Sequence, residues 1–527
     1  MHIQRLGTRR RAKLYADMIE GDRRGLGLDL SYMQGERTPQ HWICCINLLV
    51  SSNEQTRERL AMSTNSYPRG FLLCDSIDGI PSGFVPGPIL DNFFVDPLLE
   101  IKSEQDRESG KFVMVLGACT MLEHSKQSPV SILLERLIEG EEKFYEALDW
   151  LVGRYTILFG SKGQVKVVCD ATAMRPAFYH VDGGFLASHA SLIEVTQFEC
   201  EISNLPFSSS FPAHGTPYEG VRVLLPNFVL DLESGNLTRF WPREPLTSIS
   251  TERAANIVLE RASAALSRLG EDRDSWLALT AGLDSRVSLA VATHAGIDLK
   301  TFTYGKNKDT RVDRSVAKLL SAKLGIKHFE VPTLKPEGEL KDSLGKAHYW
   351  DSHRSAVGPL GKLIGNQRAA VFSSNILEVG QSNFRKLQWR GGCDEPVGAD
   401  QMAKLYYRKL SKKVRGEVRA FGHQRYMGEV TERFQTLISE TGGFCPSILD
   451  PFDEYYWMIR MGTWHGPTSL EKDFYGEPLN PFNSRAIITP LISVSKPDQY
   501  DNSVFLRLIS LVDSSLLDIP INPAQPV

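Results

Sequence analysis

The run Leu279, Thr280, Ala281, Gly282, Leu283, Asp284 and Ser285 has the residue types and spacing of a chemical site. Small residues and hydroxyls follow an apolar stretch, Trp276 to Leu279, and precede a second one carrying Val287, Leu289, Ala290 and Val291. Read as strand, tight turn and helix, this run aims backbone N–H groups and a helix N-terminus into one concavity. That concavity suits a phosphate group. Asp284 inside the turn repels an anion unless a divalent cation lies between them. The pairing therefore points to a Mg²⁺–nucleotide rather than to phosphate alone. An ordinary glycine turn between a strand and a helix is the plainer account of the same residues. The Gly-x-x-x-x-Gly-Lys-Ser/Thr pattern is absent at this turn.

A parallel sheet is what would hold such a turn. Leu299 to Gly305 reads as a second strand, Asp313 to Gly325 as a helix with a glycine stop, and His328 to Pro332 as a third strand. β-α-β-α-β is the unit of a doubly wound parallel sheet, with the phosphate loop after its first strand.

The turn resembles the pyrophosphate loop of the N-type ATP pyrophosphatases, Ser-Gly-Gly-x-Asp-Ser. Thr280 stands for the first Ser and Ala281 for the first Gly, while Gly282, Asp284 and Ser285 match directly. Ala281 carries a Cβ where the family has glycine, which disfavours positive φ. The order of elements resembles the synthetase domain of asparagine synthetases and their relatives. That resemblance implies an adenine and ribose pocket along the strand ending at Tyr304, an Asp at the next helix start, here Asp313, and a His on the following strand, here His328. The local roles of these two are a helix N-cap and a satisfied strand-end residue. The resemblance also implies a second acidic metal site after another buried strand. Ala369 to Phe372 is such a strand, and Glu378 then takes the place of the metal-binding Asp. Gly391-Gly392-Cys393-Asp394-Glu395 is the alternative. Glu378 is preferred because Arg385 to Arg390 makes no buried strand before it. A solvated loop carboxylate is the plainer reading of either.

The N-terminal half reads as short strands with glycine-rich turns: Gly153 to Gly160, Gln164 to Asp170, Arg175 to His180 and Phe185 to His189. Their order resembles class II glutamine amidotransferase domains, an Ntn-hydrolase-like antiparallel β-sandwich with helices. Tyr218 to Asn227 and Arg239 to Trp241 resemble the segment leading into the synthetase domain. That glutaminase uses an N-terminal Cys whose α-amino group is the base. This chain begins Met1-His2-Ile3, and Cys44 and Cys45 lie inside an apolar run. The expectation is a domain without glutaminase activity, as in β-lactam synthetases and lasso-peptide cyclases.

Toward the C-terminus, Phe452 to Arg460 reads as an aromatic-rich helix, and Asn480 to Arg485 resembles the family's Pro-Phe-Leu-Asp turn. The family places a Lys before Leu-Arg to neutralise developing pyrophosphate charge. The aligned run Asp501 to Arg507 has none, Lys496 and Arg507 being the nearest cations, and Asp518 to Pro523 stands where a basic loop is common. A fixed cation is often a large catalytic term, and Arg485 is the substitute candidate, with a surface ion pair as its plainer role.

The global numbers fit a globular chain. Its 527 residues imply two to four domains. Hydrophobic content of 42%, charged content of 23% and a net charge of −3 give ordinary cores and no basic face for nucleic acid. Arg9-Arg10-Arg11 and Lys412-Lys413 read as solvated surface. Apolar runs such as Ile43 to Val50 are too short to span a bilayer, and no signal peptide is expected. Eight scattered cysteines lack CxxC or zinc spacing, which disfavours zinc and tRNA thiolation and fits a reduced cytoplasm. Pro242 to Thr251 is the expected boundary, before a helix Ala254 to Leu269.

The expected architecture is α/β and α+β, the resemblance covering roughly residues 110–520. Residues 1–245 form the amidotransferase-like domain, and residues 250–527 a doubly wound parallel α/β domain with extra helices. The resemblance implies a ligase that adenylates a carboxylate, a small molecule or peptide, with ATP and Mg²⁺, for attack by an amine or by ammonia, the latter free or from a separate glutaminase. Asp284 and Glu378 would hold Mg²⁺, with Arg485 the catalytic cation and Leu279 to Ser285, Tyr304 and Asp313 binding nucleotide. A non-catalytic scaffold that kept the fold is the main alternative. Another pyrophosphatase acting on a nucleotide or cofactor is disfavoured by the N-terminal sandwich. No nucleic-acid or membrane partner is expected.

Overall fold

Phe71, Leu72, Leu73 and Cys74 alternate between two apolar clusters, as a strand covered on both faces must. They open the described part of the chain. The computed structural model describes residues 66–527 except 76–78, 124–126, 162, 197, 306–309, 384–396 and 445–447. Arg9 to Arg11, Ile43 to Val50 with Cys44 and Cys45, and the segments Arg385 to Arg390 and Gly391 to Glu395 lie outside the described residues. Residues 65–527 belong to one compact unit.

Among the described residues from 71 to 239, twelve strands form: β1 (Phe71–Cys74), β2 (Val85–Pro86), β3 (Phe93–Val95), β4 (Ile101–Gln105), β5 (Phe112–Met121), β6 (Leu151–Ser161), β7 (Gln164–Cys169), β8 (Phe178–His180), β9 (Phe185–Ala187), β10 (Val221–Val223), β11 (Phe228–Asp231) and β12 (Leu237–Arg239). They make two six-stranded antiparallel sheets, ordered β10-β8-β9-β1-β3-β2 and β12-β11-β7-β6-β5-β4. Phe71 and Phe93 of the first sheet share a core with Val113, Val115 and Ile157 of the second. β5 and β6 pair over ten residues, Phe112 opposite Gly160 through Met121 opposite Leu151. Gly117 permits that closeness at φ +115, since a Cβ there would sit 2.3 Å from the Arg154 carbonyl oxygen. Helices α1 (Pro129–Glu139) and α2 (Glu141–Leu148) bury Leu133, Leu137 and Phe144 in the same core.

The polar stretch after Trp241 ends at Ser250, whose hydroxyl accepts the Arg253 N–H and caps α3 (Thr251–Gly270). A five-stranded sheet follows: β13 (Ser275–Ala278), β14 (Lys300–Tyr304), β15 (His328–Val331), β16 (Ala370–Phe372) and β17 (Glu477–Leu479). Its order is β15-β14-β13-β16-β17 and every pairing is parallel. Helices α4 (Leu283–Ala295) and α5 (Arg311–Lys323) make the crossovers of the first three strands. The fold is therefore mixed, with two antiparallel sheets and one parallel sheet.

Buried ions join the strands of the first half to the second. Arg154 donates two hydrogen bonds to the Asp473 carboxylate, at 2.7 and 2.8 Å, with both side chains fully buried. Asp170 accepts backbone N–H groups of Tyr155, Thr172, Met174 and Arg175, and the Asn483 amide at 2.8 Å. Burial nevertheless dominates and raises the Asp170 carboxyl above its ordinary value.

Candidate functional site

The parallel sheet reverses its direction of growth at β13: β14 is added on one side and β16 on the other. The crevice beyond the carboxyl ends of strands at such a reversal is where open α/β sheets bind ligands. Asp284 lies in the first turn of α4, directly after β13. Glu378 lies in the 3₁₀ segment Asn375–Gln381, directly after β16. The sheet thus carries the two acids to its carboxyl edge on neighbouring strands.

Their electrostatics agree. Burial, then the negative charge of Glu378, push the Asp284 carboxyl up to about 7, against a hydrogen bond from the Gln381 amide. A carboxylate in the first turn of a helix is favoured by the dipole. Here desolvation and the second carboxylate outweigh it. Glu378 accepts a hydrogen bond from the Tyr456 hydroxyl. A shared excess of negative charge is what a divalent cation would neutralise. Among the described residues no group of three or more His, Cys, Asp or Glu could hold a metal. Two carboxylates suffice for Mg²⁺ when phosphate oxygens and water complete its shell.

The turn before Asp284 is tied inward. The Thr280 N–H donates to Ser285 Oγ at 3.1 Å, the Gly282 N–H to Thr280 Oγ1 at 3.2 Å, and the Ala281 N–H to Asp313 Oδ1 at 2.9 Å. An anion taking these N–H groups must displace those partners. Thr303 Oγ1 donates to the Leu279 carbonyl at 2.5 Å, fixing the strand end. Leu283 opens α4, with Gly282 at its N-cap at φ −71, and Ala281 is not at positive φ either. The turn therefore does not demand glycine at Ala281, contrary to the steric expectation. Asp313 is not the helix N-cap: Thr310 holds that position of α5, three residues earlier than expected and without a side-chain capping bond, and Asp313 spends its carboxylate on the turn. The segment following the last helix also reaches the turn. Arg286, fully buried, donates to the Leu516 and Pro520 carbonyls at 2.8 and 3.0 Å, and the Asn522 N–H donates to the Ala281 carbonyl at 3.1 Å.

Tyr304 ends β14, and its hydroxyl lies 3.1 Å from His353 Nδ1. Burial raises that hydroxyl to about 12 and lowers His353 to about 4. His328 lies 3.0 Å from Thr301 Oγ1 through Nδ1. After α6 (Ala399–Lys409) and α7 (Pro451–Tyr455), Arg485 opens helix α8 (Arg485–Ile492). Its Nε donates to Asn227 Oδ1 at 2.8 Å and its guanidinium lies 4.6 Å over the Phe240 ring. These partners belong to the strand-rich half, not to the loops of Asp284 and Glu378. Arg485 is buried rather than a surface ion-pair partner.

The charge of Glu378 acts on two described cations, Arg460 and Lys409. Neither was singled out from the sequence. Lys409 closes α6. Arg460 rides on a π-helix, Tyr456–His465, that continues α7 and also carries Tyr456. Such widened turns are rare and recur at functional sites. Beside them lies a small recess with room for about one water, lined by Ser208, Ser209, Ser210, Tyr406, Lys409, Leu410, Tyr455, Ile459 and Arg460.

No protein-family model matches the chain, and no curated protein matches it. Among solved structures, the allosteric regulatory enzyme of purine biosynthesis is similar at 12% identity and a TM-score of 0.21, over 46% of this chain and 63% of that one. Glutamine phosphoribosylpyrophosphate amidotransferase from B. subtilis, solved with ADP and GMP, is similar at 12% identity and a TM-score of 0.19, over 53% and 59%. The chain spans less than two thirds of the length of both. NMN synthetase from Francisella tularensis is similar at 14% identity and a TM-score of 0.19, over 32% of this chain and 74% of that one. All three are enzymes by name, but likenesses of this size fix neither fold nor activity. No described helix is long and apolar enough to cross a membrane.

Proposed function

We propose that the chain is an ATP-dependent carbon–nitrogen ligase of the asparagine synthetase type. A carboxylate would displace pyrophosphate from the α-phosphorus of ATP, giving an acyl-adenylate, and an amine or ammonia would then displace AMP to form an amide. The observation that carries this reading is the placement of Asp284 and Glu378 after neighbouring parallel strands at the point where the sheet reverses. Residues 250–527 would be the ligase domain, and residues 1–245 an amidotransferase-like domain without glutaminase chemistry.

Asp284 and Glu378 would hold Mg²⁺, which when bound neutralises phosphate charge. Thr280, Gly282 and Ser285 would turn their N–H and hydroxyl groups from one another to pyrophosphate. Tyr304 would flank the nucleoside. Arg460 and Lys409 would balance charge there in place of Arg485, because the charge of Glu378 acts on both. Positioning and charge neutralisation are the main catalytic means of such a site.

The second reading is a scaffold that retains the fold without turnover. The internally satisfied turn, with three of its N–H groups bonded to Ser285, Thr280 and Asp313, favours it. Exchange of labelled pyrophosphate into ATP, with Mg²⁺ and a panel of amino acids, peptides and aryl carboxylates, separates the two. The ligase reading expects exchange with at least one acid and its loss in Asp284→Ala. Absence of exchange across the panel, in protein that binds Mg²⁺·ATP, favours the scaffold.

A further inference from the structure

Residues 514–527 bond both to the turn before Asp284 and to the helix that braces it. Arg286, which directly follows Ser285, is fully buried and donates to the Leu516, Ile519 and Pro520 carbonyls. Leu516 is itself fully buried, so this end of the segment is a fixed root. Beyond the root, the Asn522 N–H donates to the Ala281 carbonyl at 3.1 Å. Ser315 Oγ accepts the Val527 N–H at 3.0 Å and donates to the Val527 main-chain oxygen at 2.9 Å. Ser315 lies at the start of α5, two residues past Asp313, whose carboxylate holds the Ala281 N–H. The turn, the start of α5 and residues 522–527 are thereby closed into one ring of hydrogen bonds.

The Ala281 carbonyl and the Gly282 N–H belong to one planar peptide unit. That unit is pinned at both ends. Its N–H donates to Thr280 Oγ1 at 3.2 Å, and its carbonyl accepts the Asn522 N–H. For the Gly282 N–H to turn to a phosphate oxygen the plane must rotate. The carbonyl rotates with it, and the bond from Asn522 breaks. The tip is easy to release. Asn522 and residues 524–527 are exposed, so water can replace each of their bonds at small net loss. Asn522 also sits at φ +45, a backbone region that few residues other than glycine and asparagine adopt. A Cβ on Gly282 would stand 3.9 Å from Asn522 Oδ1, so the Asn522 side chain lies against the turn as well.

Building on the ligase reading, we propose that residues 521–527 are an autoinhibitory latch, which holds the Ala281–Gly282 peptide in its internally bonded form and lifts from Ala281 and Ser315 when the polyphosphate of a nucleotide enters the turn. The root on Arg286 stays in place and the tip moves. A latch of this kind lowers the apparent affinity for nucleotide by the fraction of time it is open, and its release restores the intrinsic affinity.

The test uses the full chain and three variants. Asn522→Pro removes the N–H and excludes the positive φ. Ser315→Ala removes the anchor of Val527 and leaves the turn intact. Asn522→Gly keeps both the N–H and the positive φ and serves as the control. Without nucleotide, hydrogen exchange in peptides spanning residues 279–285 should be several-fold faster in Asn522→Pro and Ser315→Ala than in wild type, with Asn522→Gly unchanged. By calorimetry, the two released variants should bind Mg²⁺·ATP roughly three- to ten-fold more tightly than wild type, and Asn522→Gly should match it. Unchanged exchange at the turn in both released variants overturns the proposal. So does equal or weaker ATP binding by them, which would make the segment a wall of the site and not a latch. Weaker binding by Asn522→Gly also overturns it, because the carboxamide would then be a ligand of the nucleotide. Faster exchange at the turn with no ATP binding in any form supports the latch and sinks the ligase reading.

Discussion

The charge of Glu378 raises the carboxyl of Asp284, and the two residues follow neighbouring parallel strands of one sheet. Asp284 is lifted from 3.8 to about 7, mainly by burial. A raised carboxyl holds its proton in the fold over a range in which the unfolded chain releases it. Its contribution to stability therefore declines as pH rises from about 4 to about 7. Asp284→Asn is neutral at every pH and escapes that loss. In divalent-free buffer its melting temperature, relative to wild type, should be higher at pH 8 than at pH 5. An unchanged difference between the two pH values would show that Asp284 is not the strained acid.

Asp473 takes two hydrogen bonds from fully buried Arg154. Removing one partner of such a pair leaves an uncompensated buried charge, at a cost of about 3–5 kcal/mol. Asp473→Asn should lower the urea midpoint accordingly without altering the far-ultraviolet spectrum of the folded protein. A shift within experimental error would mean that water reaches Arg154.

His465 is buried with neither ring nitrogen partnered among the described residues, and burial lowers it from 6.5 to about 3. The unfolded chain takes up a proton on this residue below about pH 6.5 that the fold refuses until about pH 3. That stability is present above pH 6.5 and is lost as pH falls through this window. His465→Gln should make the fall in unfolding free energy between pH 5.5 and 4.5 shallower by about 1.4 kcal/mol per pH unit. Parallel curves for variant and wild type would count against the buried neutral imidazole.

Gly466 packs where a Cβ would stand 2.2 Å from the Ala173 carbonyl oxygen, a backbone atom. Gly466→Ala must move one segment and should cost about 1–3 kcal/mol in urea unfolding. A neutral substitution would show that the π-helix end and the Ala173 turn are looser than the packing here.

The parallel half was readable because its signals are local. Apolar runs ending in small-residue turns mark β13, β14, β15 and β16, and amphipathic spacing marks α5. The acids at Asp284 and Glu378 sit a fixed few residues beyond strand ends, so finding the strands located them. What escaped depends on packing. β1 to β4 are two to five residues long, too short for a periodic signal, and β5 reads as an apolar run without alternation because both its faces are buried. The π-helix has no sequence period to betray it within ten residues. Arg460 meets Glu378 because the π-helix packs on the 3₁₀ segment, a contact between distant stretches of chain, and Arg485 bonds Asn227 because α8 starts against the strands. Asp313 was read as a cap from its place at a helix start. Its carboxylate instead bonds the Ala281 N–H, a contact between residues that adjoin only once β13 and β14 are paired.

If Asp284 and Glu378 make a Mg²⁺–nucleotide site, calorimetric titration of ATP with and without Mg²⁺ will reveal it. Wild-type protein should bind ATP only with Mg²⁺, more tightly at pH 8 than at pH 6 because the Asp284 proton competes with the metal, and Asp284→Ala should lose that binding. Equal ATP affinity in wild type and Asp284→Ala, or ATP binding indifferent to Mg²⁺, would contradict the account.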